Sequence, residues 1–286
     1  MSQGLTPCVL MRAGLLEEPE LRTASKYFPV HRLRSQVPAN SLVVGRYSVL
    51  PYFHELEADL GNAGSVLVNT YEQHRYIANF DYLQDVADTT FPTWFRFEDV
   101  PLKLHSCAFV VKGRTNSRKN EWSRKMFAPD FSSAVRVGAE LMTDGLIGQQ
   151  GLVIRQYIPL QTFEIALSGL PLTNEWRIFY YRGRRLAYGY YWSQLEDWSA
   201  VDAAKRDFLQ EGLPFADALA LRIAQKAPFV VLDVARTESG QWKLVELNDG
   251  CQAGLNDSVD ADTLYANLQK LLADDANGPT PANRVR

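Results

Sequence analysis

The sequence predicts an α/β protein, with a small parallel α/β unit followed by a larger α+β part. Three observations carry that prediction. Short apolar runs alternate with helical stretches over residues 1–90, the pattern of a parallel sheet with crossover helices. After Phe91-Pro92 the pattern changes to longer apolar runs, two pairs of which are joined by Arg182-Gly183-Arg184 and Ser239-Gly240, as antiparallel hairpins are. Several of the later runs also end in or enclose a charged residue, among them Lys112, Asp233 and Glu246.

In the first unit, residues 8–11, 41–44 and 65–68 read as strands, and 17–27 and 51–60 as helices, the second stopped at Gly61. Asn69-Thr70-Tyr71-Glu72 reads as a strand end feeding a helix with Thr70 as its cap. Phe91-Pro92-Thr93-Trp94 then breaks the helical region. Residues 107–113 form a buried strand that ends at Lys112-Gly113, and a long polar loop follows over 114–125. Residues 131–142 have helical spacing, and 152–159, 163–167, 175–181 and 185–192 read as strands. A helix over 217–226, a hairpin of 229–235 with 242–248, and a closing helix over 263–273 complete the chain. Residues 275–286, containing Gly, Pro and Asn, read as a flexible tail.

Composition narrows the function. The chain has 286 residues, 46% of them hydrophobic and 12% aromatic, enough for a substantial core. Thirty basic residues face 33 acidic ones, a formal charge of −3, so no overall positive field argues for nucleic acid. Cys8, Cys107 and Cys251 lie far apart and make neither a disulfide framework nor a zinc site, which fits the cytoplasm. No run reaches the roughly 18 apolar residues of a membrane span. Nothing in the sequence indicates an oligomeric state.

The most informative stretch is Phe229-Val-Val-Leu-Asp233 with Val245-Glu246-Leu-Asn248. With Ser239-Gly240 as a two-residue turn, Glu238 pairs with Gln241, and counting back along both strands sets Asp233 opposite Glu246. Opposed residues share a face, and Asn248, two positions on, shares it too. Two carboxylates buried together call for a cation, and oxygen-only ligands select Mg²⁺ or Mn²⁺ over zinc.

No GxxxxGK[ST] or GxGxxG occurs, so any phosphate must be met by side chains. Lys112 ends a buried strand, where an ammonium needs an anion. The loop behind it carries Arg114, Arg118, Lys119, Arg124 and Lys125 against one acid, Glu121, and could fold over a triphosphate. In Glu175-Trp-Arg177-Ile-Phe179 alternation puts Glu175, Arg177 and Phe179 on one face. Arg177 there either clamps a reacting phosphoryl group or pairs with Glu175. The segment Arg155-Gln-Tyr-Ile158-Pro159 offers backbone groups and a flat apolar surface to a purine, and Glu164 an acceptor for ribose hydroxyls.

In this order (strand-end lysine, loop, hinge strand with a following acid, strand arginine, then Asp…Glu-x-Asn) the chain resembles the ATP-grasp superfamily. Val231-Leu-Asp233 and Glu246-Leu-Asn248 are the closest matches, and the likeness spans about residues 60–273. It is nearest to a bacterial and phage clade proposed to make amide or peptide bonds. The resemblance implies nucleotide held between two α+β lobes, 91–152 as the lid and 153–274 as the metal-binding lobe, behind the unit at 1–90. It implies ATP contacts from Lys112, Gln156, Tyr157, Ile158 and Glu164, and Mg²⁺ or Mn²⁺ held by Asp233, Glu246 and Asn248. Arg177 would face the reacting group with a loop lysine, Lys119 or Lys125, the latter taken as catalytic. The hinge reads Arg-Gln-Tyr where many relatives have an acid. The implied reaction joins a small-molecule or peptide carboxylate to an amine through an acyl phosphate. The alternatives are a phosphotransferase of the same fold and a nucleotide-binding module without turnover.

Overall fold

A computed structural model describes residues 4–276. The described residues confirm a mixed α+β fold, organised by three four-stranded sheets and one two-stranded sheet. The first sheet grows from the apolar runs of β1 (Thr6–Met11), β2 (Val30–His31), β3 (Ser41–Arg46) and β4 (Val66–Val68), all parallel in the order β2-β1-β3-β4. Helices α1 (Glu18–Ala24) and α2 (Phe53–Asn62) supply crossovers. Gly61 does not stop α2, which runs one residue further, because a glycine weakens a helix without breaking it. Thr70 does cap α3 (Tyr71–Ala78). Its hydroxyl accepts from the Gln73 N–H at 3.3 Å while the Gln73 side chain accepts from the Thr70 N–H at 2.9 Å. A short α4 (Leu83–Val86) follows.

The second sheet is antiparallel in the order β5-β8-β6-β7, from β5 (Thr93–Trp94), β6 (Phe109–Gly113), β7 (Phe127–Ala128) and β8 (Leu152–Gln156). Helix α6 (Phe131–Met142) covers one face, burying Ala134, Val137 and Leu141 against Phe109, Val111 and Ile154. The other face carries Val110, Lys112 and Arg155, which line a cavity. The stretch read as a plain loop, 114–125, holds a 3₁₀ turn at Lys119–Glu121 and the short α5 (Trp122–Lys125), and α7 (Ile147–Gln150) precedes β8.

A small hairpin, β9 (Thr162–Ile165) with β10 (Pro171–Thr173), leads into the largest sheet. That sheet comprises β11 (Glu175–Tyr181), β12 (Arg184–Tyr190), β13 (Phe229–Arg236) and β14 (Trp242–Asp249), antiparallel in the order β12-β11-β13-β14. Trp176, Ile178 and Val230 pack beneath α8 (Ser199–Asp207), a π-helical turn at Phe208–Gly212 and α9 (Leu213–Ile223). Phe179, Phe229 and Val231, on the opposite face, share a core with β1, β3 and α10 (Ala261–Ala276). The tail expected from residue 275 thus begins inside α10, and 277–286 lie outside the described residues.

The register of β13 on β14 corrects the turn. Thr237 pairs with Gln241 across a three-residue loop in which Gly240 has φ +85°, so the hairpin leaves the turn one step out of the expected register. A bulge between Asp233 and Val234 on the pairing with β14 leaves Val245 unmatched and restores the step. Asp233 therefore stands opposite Glu246. The pairing agrees with expectation, but two irregularities produce it rather than a tight turn.

Candidate active site

The open face of the β6–β8 sheet and the end of the β11–β14 sheet enclose a cavity of about 330 Å³. Lys112, from β6, reaches across to form an ion pair with Glu246. Burial pushes the Glu246 carboxyl up, but Lys112, with Lys119 and Arg155 behind it, outweighs this and holds it at about 2. Arg155, from β8, is 7% exposed and donates through Nη1 to the carbonyl of the bulged Val245. Its Nε and Nη2 have no hydrogen-bond partner among the described residues. A buried guanidinium left so incompletely satisfied is costly unless an anion arrives.

The acids sit on the facing strands. Asp233 is 1% exposed, and Arg177 on β11 grips it with Nε to Oδ1 and Nη2 to Oδ2, both at 2.8 Å. Of the two readings of Arg177, the pairing with Glu175 on its own strand is not formed: its carboxylate partner is Asp233 across the sheet. Its third nitrogen donates to the Gly254 carbonyl at 3.1 Å, and burial fails to offset the pull of Asp233, so the guanidinium is held above its usual range. The Asn248 amide donates to Asp233 Oδ2 at 3.0 Å, which gathers Asp233, Glu246 and Asn248 in one corner. Among the described residues no three His, Cys, Asp or Glu cluster as a metal site; the corner offers two carboxylates and an amide. Glu175 lines the cavity, and Thr173 donates to it at 3.3 Å. Burial lifts Glu175 to about 7, opposed by Lys119 and assisted by Asp233.

Gln156, Tyr157 and Ile158 line the cavity together with Val110, Met126 and Leu170, an apolar slot at the end away from the acids. Glu164 and Lys125 are not brought to it. Glu164 lies on β9 and accepts from the Glu196 N–H at 3.1 Å, whereas Lys125 pairs with Glu121 at 3.0 Å on α5. The basic loop is mostly neutralised: Arg118 pairs with Asp144 and Arg124 with Glu121 and Glu140. Lys119 is the loop cation that lines the cavity, donating to the Tyr191 hydroxyl at 2.6 Å. Sequence reasoning missed Arg155 and Tyr191. A charge inside Leu152-Val-Ile-Arg155 carries the same anomaly that exposed Asp233, whereas Tyr191-Trp192 resembles ordinary core.

A family model of the ATP-grasp domain, family 3 of its clade, matches residues 102–268, more than half of the chain. Among solved structures, the fold is similar to that of the D-cycloserine synthetase DcsG, with a TM-score of 0.55 at 18% identity over 94% of this chain and 100% of that one. It is also similar to a RimK domain ATP-grasp protein from Sphaerobacter thermophilus, with a TM-score of 0.56 at 16% identity over 96% and 100%. The ATP-grasp ligase PsnB, solved with a minimal precursor, Mg and ADP, gives 0.55 at 10% identity over 96% and 98%. At such identities the likeness is one of fold. No curated protein matches the sequence.

Proposed function

The chain belongs to the ATP-grasp superfamily, in the clade family whose model it matches, and we propose that it is an ATP- and Mg²⁺-dependent carboxylate–amine ligase acting through an acyl phosphate. One observation carries the reading. Lys112, Lys119 and Arg155 converge on one cavity beside Asp233, Glu246 and Asn248, with an apolar slot at the far end. That layout suits a triphosphate with a purine at one end and a metal at the other. The names of its structural neighbours, a synthetase and a precursor-bound ligase, support ligation.

In this reading Gln156, Tyr157 and Ile158 hold the adenine, and Lys112, Lys119 and Arg155 meet the phosphates. Lys119 is the loop lysine we assign to them in place of Lys125. The corner's donor set is oxygen-only and fits Mg²⁺ or Mn²⁺, which Asp233, Glu246 and Asn248 would hold. When bound, the metal neutralises charge on the transferring phosphoryl group. Lys112 now neutralises Glu246, so it must turn from the acid to the phosphates as nucleotide and metal enter. Arg177, anchored by Asp233, keeps a fixed positive charge beside the reacting group. The substrate carboxylate attacks the terminal phosphorus, ADP leaves, and an amine then displaces phosphate from the acyl carbon. The protein supplies no nucleophile. Cys251, near this corner, is buried and bonded to Val68 and Asn69, which makes it structural. Among the described residues no helix is long and apolar enough to cross a membrane, and the three free cysteines accord with a cytoplasmic enzyme.

The test is ADP and phosphate release against pools of amino acids and short peptides. A ligase releases both in step, and only when a carboxylate and an amine are present together. ADP formed with one substrate alone, and a stable phosphorylated product, would make the protein a phosphotransferase instead.

A further inference from the structure

One aromatic residue is shared by the two cations that the proposed reaction needs nearest the phosphates. Tyr191 follows β12 in the large sheet, whereas Lys119 comes from the loop above the β6–β8 sheet. The Lys119 ammonium donates to the Tyr191 hydroxyl at 2.6 Å and lies 4.4 Å from its ring centroid and 4.7 Å from that of Trp192. The Arg177 guanidinium carbon lies 4.8 Å from the centroid of the same Tyr191 ring. Cations at these separations are attracted to the ring's electron-rich face. The loop has three further hydrogen bonds to the large lobe, all at the β9–β10 turn. There the Ser168 carbonyl accepts from the Ser123 hydroxyl at 2.9 Å and from the Ser123 N–H at 3.4 Å, and the Ser168 hydroxyl donates to the Lys119 carbonyl at 3.4 Å. The Tyr191 contact fixes the ammonium itself, while the others fix only the backbone around it.

We propose that Tyr191 is a positioning residue that sets Lys119 and Arg177, one from each lobe, at the spacing the phosphoryl group requires. This rests on the ligase reading above. The hydroxyl determines where Lys119 sits, and the ring presents a fixed face to Arg177. The phenol holds the loop over the cavity before nucleotide binds, and keeps one of the ammonium's three protons while the other two turn to phosphate oxygens. A lysine of this length has many rotamers in water, so confining it beforehand removes an entropy cost from the reacting complex.

Tyr191→Phe separates the two contacts, because it deletes the hydroxyl and keeps the ring. A lost hydrogen bond to a charged group corresponds to about a tenfold effect or more. We expect kcat to fall at least about tenfold while KM for ATP moves less than about threefold, because a positioning residue acts mainly on the reacting complex. On a Lys119→Met background the same change should cost less than about twofold, since the partner it acts through is gone. A readout independent of turnover is tryptic cleavage after Lys119 in the nucleotide-free protein, which should accelerate by about tenfold in Tyr191→Phe as the loop opens more often. Wild-type cleavage and wild-type kcat in that variant would overturn the proposal, as would an undiminished effect on the Lys119→Met background. A wild-type protein without ATP turnover would instead defeat the ligase reading, and the cleavage comparison would still decide whether Tyr191 holds the loop.

Discussion

Asp233 is buried with both oxygens taken by Arg177, so its removal has two consequences. Asp233→Asn should abolish ATP turnover and also destabilise the protein, because it leaves a buried guanidinium short of charge. Breaking a buried pair costs about 3–5 kcal/mol, and the surviving amide oxygen places this change near the low end. Urea unfolding measures it, and the double replacement Arg177→Met with Asp233→Leu should recover most of the loss while staying inactive. A single mutant as stable as wild type would contradict the pairing. Glu175 makes a second prediction through its pH dependence. Its carboxyl, ordinarily ionised above pH 4.5, is raised to about 7 in the folded state, first by burial, with Lys119 opposing and Asp233 adding. A raised acid binds more protons folded than unfolded across that window, so stability falls as pH rises from 4.5 to 7 and levels off above. Glu175→Gln removes this slope. It should match wild type at about pH 4.5 and exceed it at about pH 8 by roughly 3 kcal/mol, a difference that urea midpoints at the two pH values would show.

The β13–β14 hairpin carries both acids proposed to hold the metal, and its turn depends on one loop residue. Gly240 adopts φ +85°, a conformation that costs a side-chain-bearing residue about 1 kcal/mol. Gly240→Ala should therefore lower the unfolding free energy by about that much with turnover retained, because the Val245 bulge and the Asp233–Glu246 pairing lie beyond the turn. Loss of activity without loss of stability would mean that the turn itself sets the register of the acids. The hairpin also shows what was legible. Period-two alternation around Asp233, Glu246 and Asn248 revealed the shared face, because a charge within a run of valine and leucine is anomalous in any pairing. The compensating loop residue and bulge were not legible, since both leave the same alternation. Helix α8 was missed because few of its side chains face the core, Val201 and Ala204 being its buried residues, too little for a periodic stripe. The start of α9 was placed late because Pro214 reads as a breaker, although proline is tolerated in a helix's first turn. Lys119 could not be told from Lys125 by spacing along one loop; the 3₁₀ turn at Lys119–Glu121 sends the first into the cavity and leaves the second paired on α5.

At the scale of the molecule, two sheets built for different purposes meet at the cavity. The β6–β8 sheet covers one face with α6 and turns its cationic face to the cavity. The β11–β14 sheet buries both faces over most of its length and presents acids at the end nearest the cavity. Nucleotide with its metal would bridge the cations of one side and the acids of the other, so binding should join the two parts and raise stability together. A ligand held only by the native state adds RT ln(1 + [L]/Kd), about 2.7 kcal/mol at a hundredfold excess over Kd. Mg²⁺ with a non-hydrolysable ATP analogue should raise the melting temperature by several degrees, and Lys112→Ala should shrink that rise. The proposal that carboxylate activation is the chemistry has a sharper test. With the carboxylate identified by the substrate pools labelled with ¹⁸O, an acyl phosphate transfers one labelled oxygen to the released phosphate when the amine attacks. The account predicts that label in the phosphate, in step with ADP. Unlabelled phosphate alongside the amide, with the carboxylate's other labelled oxygen leaving in AMP or water, would contradict it.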